Sequence, residues 1–428
     1  MRPSVSGFAE PEQQFREVSI KPGAVESTAE LHISCPDATG LGTDFARLMF
    51  TFNLIIDKGD FSTDGQWAFL MFTVHTAEGC EPQWEILKQR LASMCPDPLS
   101  PSTLQPRPSK KIFLFTVESI DRVGLLQGIT QALLEQELTI HKAQISTSPS
   151  GRAVDLFYVT DNRDQLHNER RSQMLSTYVM RRLGDGVQCS ITPAPQINCA
   201  CGASFVMPSD GHDCKVIRHG PGEHAPVESR WPPEGAEAAI PQSVQRDRSV
   251  VMIDNCTSKA HTLVQVRAHD RKGLLYDCYR AVKDNNVQVT YGKIAVRDGV
   301  CELDLFVQDS EGNQLEDAQR EAEMCRRLKL AIDLPILLSL TTSKDKLTTD
   351  LSVVTQLDAG GRGRPRVLHD VSAALSMVNK QIFKADANVD RKRWLERHSF
   401  LITETNGLPV DRSEYPAVIA QVQETLLS

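Results

Sequence analysis

Three stretches of this chain carry the same chemically useful residues at one spacing. They are Asp37, Gly40 and Leu41; Asp121, Gly124 and Leu125; and Asp270, Gly273 and Leu274. A glycine lets the backbone approach a ligand with no Cβ in the way. Where a helix follows, its unpaired N–H groups and the positive end of its dipole suit a carboxylate. The aspartate can pair with an ammonium group, or it can merely cap or close an Asx turn on its own loop. The glycine, too, can serve tight packing alone. Twenty-three residues past each Asp come Asp60, Gln144 and Lys293, which would give three sites of different specificity if they face a ligand.

The flanking residues repeat as well. Six, four and two residues before each Asp lie Leu31, Ile33, Cys35; Phe115, Val117, Ser119; and Val264, Val266, Ala268. This period-two alternation predicts a strand entering the loop with one buried face. Four, eight and twelve residues after each Asp come Leu41, Phe45, Met49; Leu125, Ile129, Leu133; and Leu274, Cys278, Val282, the stripe of a helix with one face on a core. Asn53, Glu137 and Asn286, sixteen residues on, suit the turn that ends it. A hairpin follows in each copy, turning at Asp64-Gly65, Pro149-Ser150-Gly151 and Asp298-Gly299. A second helical pattern comes next, and the strands VQCSI and PILLSLT close copies two and three. The order β-α-β-β-α-β predicts an α+β fold of ferredoxin-like units, each an antiparallel sheet with helices on one face.

A fourth copy follows when His369-Asp370 is set opposite Tyr276-Asp277, which aligns Asn379 with Asn286. Gly363 then replaces the Asp and Arg366 the Gly, so this copy keeps the fold and loses or alters the site. The predicted organisation is an N-terminal tail (1–27), a first domain (28–95), a Pro-rich linker (96–109), a second domain (110–192), a disordered Pro- and Gly-rich linker (193–248), a third domain (249–342) and a degenerate fourth (343–428). The long linker splits the four into two consecutive pairs. Open sheet edges are what paired copies can cover.

An Asp-x-x-Gly-Leu loop in a unit of this order, repeated four times, resembles the ACT domain. Residues 28 to 428 are similar to the plant ACT-domain-repeat proteins. The shorter subgroup of that family shares the phrases GLLYD, STDG, DLF and GRGRP, found at 273–277, 62–65, 155–157 and 361–365. The resemblance implies a non-catalytic regulatory protein, an amino-acid sensor, with Asp37, Gly40, Leu41, Asp121, Gly124, Leu125, Asp270, Gly273 and Leu274 as ligand-binding residues. It places the ligand between paired domains, held by the loop of one and strands of the other. The alternative is a protein–protein scaffold with empty sites, using its sheet edges for a partner or for a homodimer.

Composition agrees with that class. The 428 residues carry a formal net charge of −8, so no nucleic-acid partner is expected. No run reaches the roughly 18 apolar residues that span a bilayer, the best (Leu330 to Leu340) being broken by Asp333. The N-terminus lacks a signal-peptide core, and eleven irregularly spaced cysteines fit reduced thiols inside the cell, in the cytoplasm with the nucleus also open. No phosphate-binding loop, nucleophile elbow or H-E-x-x-H pair is present, and no cofactor is expected. Cys199, Cys201, His212 and Cys214 are spaced poorly for zinc, so no metal site is assigned. Arg362-Gly363-Arg364-Pro365 resembles an AT-hook core but falls in a strand-to-helix loop, and Arg391-Lys392-Arg393 reads as a solvated turn.

Overall fold

The computed structural model describes residues 16–77, 83–96, 110–148, 150–161, 163, 165–199, 249–343, 347–390 and 393–427. The first copy comprises β1 (Glu17–Pro22), β2 (Thr28–Pro36), α1 (Leu41–Thr51), β3 (Leu54–Thr63), β4 (Trp67–Thr76) and α2 (Trp84–Met94). In the second are β5 (Lys110–Ile120), α3 (Leu125–Glu135), β6 (Leu138–Thr147), β7 (Arg152–Asp161), α4 (Glu169–Leu183) and β8 (Gln188–Cys199). The third has β9 (Val250–Asp254), β10 (Thr262–His269), α5 (Leu274–Asp284), β11 (Val287–Arg297), β12 (Val300–Asp309) and α6 (Ala318–Asp333). Last come β13 (Ile336–Thr342), β14 (Thr349–Gln356), α7 (Val367–Met377), β15 (Gln381–Asp390), β16 (Leu395–Thr403) and α8 (Tyr415–Leu427).

The repeat pattern is visible in the backbone. Asn53, Glu137, Asn286 and Asn379 end the first helices at φ of 59°, 61°, 56° and 53°. This is a left-handed turn, which polar side chains tolerate better than β-branched ones. The predicted stripes are buried: Phe45 and Met49 on α1, Ile129 and Leu133 on α3, Cys278 and Val282 on α5.

Two eight-stranded antiparallel sheets form, ordered β1-β2-β4-β3-β11-β12-β10-β9 and β13-β14-β16-β15-β6-β7-β5-β8. Copies therefore pair one with three and two with four, not consecutively as the linker suggested. A linker limits reach; it does not choose which exposed edge a strand completes. At the seams β11 pairs with β3 and β15 with β6, setting Lys293 opposite Asp60 and Asp386 opposite Gln144. Each seam joins equivalent positions of two copies, as an approximate two-fold axis requires.

Three assignments differ from the sequence reading. The segment PILLSLT, read as closing the third copy, is β13 and lies beside β14 in the sheet of the fourth, with Leu338 opposite Val353. Chain order alone cannot say which of two sheets receives a strand between them. The region read as an N-terminal tail contains β1, paired with β2, whose short and half-exposed run gives almost no periodic signal. Residues 193–199, read as the start of a disordered linker, are the end of β8, which runs on to Cys199. Pro193 lies in β8, and an outer strand tolerates proline since one edge needs no N–H donors. Residues 200–248, including Cys201, His212 and Cys214, lie outside the described residues.

Contacts divide the chain into two compact units. The first is Met1–Thr103, Met252–Arg267 and Gln288–Glu316; the second is Leu104–Val251, Ala268–Val287 and Asp317–Ser428. The second holds copies two and four together with α5 and α6. Its core is continuous across the seam, joining Phe115, Ile129 and Phe157 of copy two to Val371, Leu375 and Phe400 of copy four.

Candidate functional site

Gly40, Gly124 and Gly273 stand immediately before α1, α3 and α5 at φ of 84°, 81° and 75°. This conformation is cheap only for glycine. The N–H of Leu41, Leu125 and Leu274 donates to the carbonyl of Ala38, Arg122 and Arg271, closing one turn in all three loops. The N-cap of each of these three helices is a glycine, which offers no side-chain acceptor to the N–H donors of the first turn. The three leucines are themselves buried and anchor the helix starts in the core.

The aspartates of copies one and two are clasped by a threonine twenty-six residues on. Thr63 Oγ1 donates to Asp37 Oδ2 at 2.7 Å and Thr147 Oγ1 to Asp121 Oδ2 at 2.9 Å. The equivalent residue of copy three is Val296, which has no hydroxyl. A paired copy then reaches each of these two loops. Gln288 Nε2 donates to Thr39 Oγ1 at 3.3 Å, and Gln381 Nε2 to Asp121 Oδ2 at 3.0 Å. Both glutamines stand at the same repeat position, near the start of the seam strand.

The loop of copy two opens into a cleft at the seam. Asp121, Gly124, Thr147 and Asp155 line it from copy two, and Ser376 and Lys380 from copy four. The cleft is partly open, and its free space of about 20 Å³ gives room for roughly one water. A Cβ added at Gly124 would lie 3.3 Å from Ser376 Oγ, so the loop already approaches α7 closely. Asp155 is 1% exposed, and its Oδ1 has no hydrogen-bond partner. Burial, and then the nearby charge of Asp121, push its carboxyl up to about 8.

Family models for the ACT domain-containing protein ACR10 (N-terminal), an ACR9-like, ACT-like domain and the ACT domain-containing protein ACR9 (C-terminal) match residues 20–96, 250–345 and 349–428. The chain is 33% identical over 411 residues to ACR10 of Arabidopsis thaliana, covering 92% of this chain and 93% of that protein. To ACR9 of the same plant it is 33% identical over 407 residues, with the same two coverages. The chain belongs to the ACT domain-containing proteins. A bifunctional uridylyltransferase/uridylyl-removing enzyme of Rhodospirillum rubrum is 24% identical over 229 residues, which are 53% of this chain but 20% of that enzyme.

In the numbering ACT1 to ACT4, the expected specificity residues lie elsewhere than at the loop. On β6 the buried residues are Ala143 and Ile145, so Gln144 points to the opposite face, and Ile145 lines the cleft instead. Asp60 and Lys293 likewise alternate with buried Gly59 and Phe61, and Gly292 and Ile294. The residue the sequence reading missed is Asp155. It is in phase with Ala153 and Phe157 on the inward face of β7, and a carboxylate in a buried phase was the available signal. At the same fourth position of the strand ACT1 has Leu70, ACT3 has Leu303 and ACT4 has His398.

The ACT3 and ACT4 loops are engaged by the protein's own charges. Arg271 reaches Asp277 at 2.7 Å, Lys272 reaches Asp370 at 2.8 Å, and buried Arg364 pairs with Asp277. Arg364 of the AT-hook-like run thus serves packing. Arg366 keeps the left-handed conformation of the glycine it replaces, with φ 66°, and pairs with Asp370 at 3.2 Å. The gap-free alignment of ACT4 needs correction on the strand side. Leu357 N–H donates to Trp394 O just as Asp37 donates to Gln66 and Asp121 to Gly151, so Leu357 holds the Asp position. The ACT4 loop is therefore six residues longer, and the space beside Gly363 is filled by the Glu396 carboxylate.

Proposed function

We propose that this protein is a non-catalytic regulator that binds free amino acids, with the cleft between ACT2 and ACT4 as its principal site. One observation carries the reading. The start of α3, with no side-chain cap, and the clasped Asp121 line a single cleft, and Gln381 of the paired domain bonds to that same Asp121. N–H donors beside a carboxylate are the complement of a zwitterion, the α-carboxylate taking the N–H groups of Leu126 and Gln127 and the α-ammonium taking Asp121. The ACT1 loop, where Thr63 clasps Asp37 and Gln288 bonds to Thr39 rather than to the aspartate, is a related second site.

The small volume supplies the regulatory step. An amino acid enters the ACT2–ACT4 cleft only if α7 and the loop move apart, so ligand binding selects a widened packing of the two domains. Seven cysteines among the described residues are free thiols, which favours a reducing compartment, and no described helix is long and apolar enough to cross a membrane. The scaffold reading draws on Phe69, Met71 and Tyr291, which are 40%, 47% and 38% exposed on the first sheet.

A thermal-unfolding screen of the full chain against the twenty amino acids tests the proposal. A ligand at about 100 times its Kd adds about 2.7 kcal/mol to the state that binds it. One or a few amino acids should raise the transition of the second unit, and Gly124→Trp should abolish the rise. A flat panel at millimolar ligand turns the search to protein partners.

A further inference from the structure

Asp155 is a carboxylate facing an interior cleft with one oxygen unsatisfied. A native fold leaves few such groups, and each needs an explanation. The charges around it do not supply one. Four charged residues line the cleft: Asp121, Arg122, Asp155 and Lys380. Lys380 Nζ is held between Glu404 at 2.6 Å and Glu414. The Arg122 guanidinium donates to the Leu183 carbonyl. Asp121 is taken by Thr147 and Gln381 and carries the same sign as Asp155. With Asp155 ionised, these groups together with Glu404 and Glu414 are two charges more negative than positive.

We infer that the ACT2–ACT4 cleft selects a basic amino acid, whose side-chain ammonium or guanidinium is received by Asp155 while its α-amino and α-carboxyl groups engage the Asp121 loop and the start of α3. This rests on the amino-acid reading of the same cleft. A neutral amino acid satisfies the loop but leaves Asp155, which has the Ser146 backbone on one side, with its buried Oδ1 unpartnered. A basic one supplies the missing donor and the opposite charge in a site shielded from water, where both count most. Leu70 and Leu303 at the equivalent positions of ACT1 and ACT3 mark the carboxylate as particular to ACT2 rather than required by the fold. The shift of Asp155 toward the neutral acid without ligand supports the same assignment, since an arriving cation would drive off its proton.

The test is calorimetric titration of the full chain with L-lysine, L-arginine, L-norleucine and L-citrulline near pH 7, repeated in two buffers of different ionisation enthalpy. Lysine should bind at least tenfold more tightly than norleucine, or arginine than citrulline, with proton release that the neutral analogues do not show. Asp155→Asn and Asp155→Leu should each erase the preference and the proton release while leaving norleucine or citrulline binding within a few-fold. The Leu variant guards against misfolding, because ACT1 and ACT3 already carry Leu there. Equal binding of the charged and neutral members, or a preference that survives in both variants, overturns the assignment and leaves the amino-acid site standing. If none of the four binds, nor any other amino acid in the thermal screen, both readings fall.

Discussion

Asp277 and Asp370 hold the same place on α5 and α7, and each is paired with a cation from the loop before the other helix. Arg364 meets Asp277, and Lys272 meets Asp370 at 2.8 Å. All four side chains are buried. The reciprocal exchange puts the two loops that have departed furthest from the repeat at a structural junction. The loops of ACT1 and ACT2, which keep the Asp–Thr clasp, receive a glutamine instead. Loops that form the buried junction and loops that keep the Asp–Thr clasp are thus segregated along the chain.

Arg364→Met should destabilise the second unit by about 3 kcal/mol, because removing one partner of a buried ion pair strands the other. Arg271 remains beside Asp277 and keeps the loss toward the low end. Arg364→Lys preserves the charge but not the forked contact, and should lose less. Burial alone would raise Asp277, but Arg364, Arg271 and Arg280 together outweigh it and hold the carboxyl below its ordinary value. The sign follows: the stabilisation is present above the unfolded value near 4 and is lost as pH falls through the lower folded value. Urea denaturation of both variants, followed between pH 3 and 7, checks magnitude and direction.

Asp155 has the opposite sign. Its folded value near 8 lies above the ordinary carboxyl value, because burial and then Asp121 disfavour the charge. Its proton is held in the fold and released on unfolding, so its contribution is full below about pH 4 and is lost as pH rises to about 8. One such group tilts stability by up to about 1.4 kcal/mol per pH unit inside that window. Denaturant midpoints from pH 5 to 8.5 should therefore fall more steeply in the unmodified protein than in Asp155→Asn, whose amide mimics the neutral acid. Parallel curves would mean that the carboxyl is already ionised and hydrated.

Thr147→Val should cost about 1–3 kcal/mol and weaken amino-acid binding at the ACT2–ACT4 cleft. Valine keeps the shape but leaves the half-buried Asp121 with one donor fewer, held by Gln381 alone. Thr63→Val removes the same clasp from Asp37 and should leave the ACT2–ACT4 cleft untouched. Calorimetry on the two variants distinguishes a loop that must be pre-shaped from one that ligand can order.

Much of this was legible because local sterics leave one solution. A glycine at φ 81° and an asparagine at φ 59° are favoured by the backbone where the pattern recurs, with Glu137 and Arg366 the exceptions at φ 61° and 66°, so the strand–loop–helix units could be traced residue by residue. The pairing of ACT1 with ACT3 and of ACT2 with ACT4 could not, since backbone hydrogen bonds at an exposed edge carry little sequence information. Asp60 faces Lys293, but it is no worse matched to Gln144. Asp155 was legible in principle, being in phase with Ala153, Phe157 and Val159, yet a single acid among apolar neighbours is outvoted when a strand is judged by its average. The longer ACT4 loop was hidden because the helix and its end align without a gap, whereas the strand ladder alone shows that Leu357 is the true counterpart of Asp121.

Gly124→Ala separates backbone strain from ligand access when set against Gly65→Ala. Both glycines sit at positive φ, 81° and 87°, so each alanine pays about 1–2 kcal/mol for a left-handed residue. A Cβ at Gly65 meets nothing within 4 Å, whereas one at Gly124 comes to 3.3 Å from Ser376 Oγ. The Gly65 variant should therefore lose stability only, with its amino-acid response intact. The Gly124 variant should lose slightly more stability, because Ser376 must give way, and its ligand affinity should drop at least tenfold, since the methyl projects into a cleft with room for about one water. Unfolding midpoints with and without saturating ligand read both effects from one experiment. If Gly124→Ala binds amino acids as well as Gly65→Ala does, the ligand does not pass between the ACT2 loop and α7.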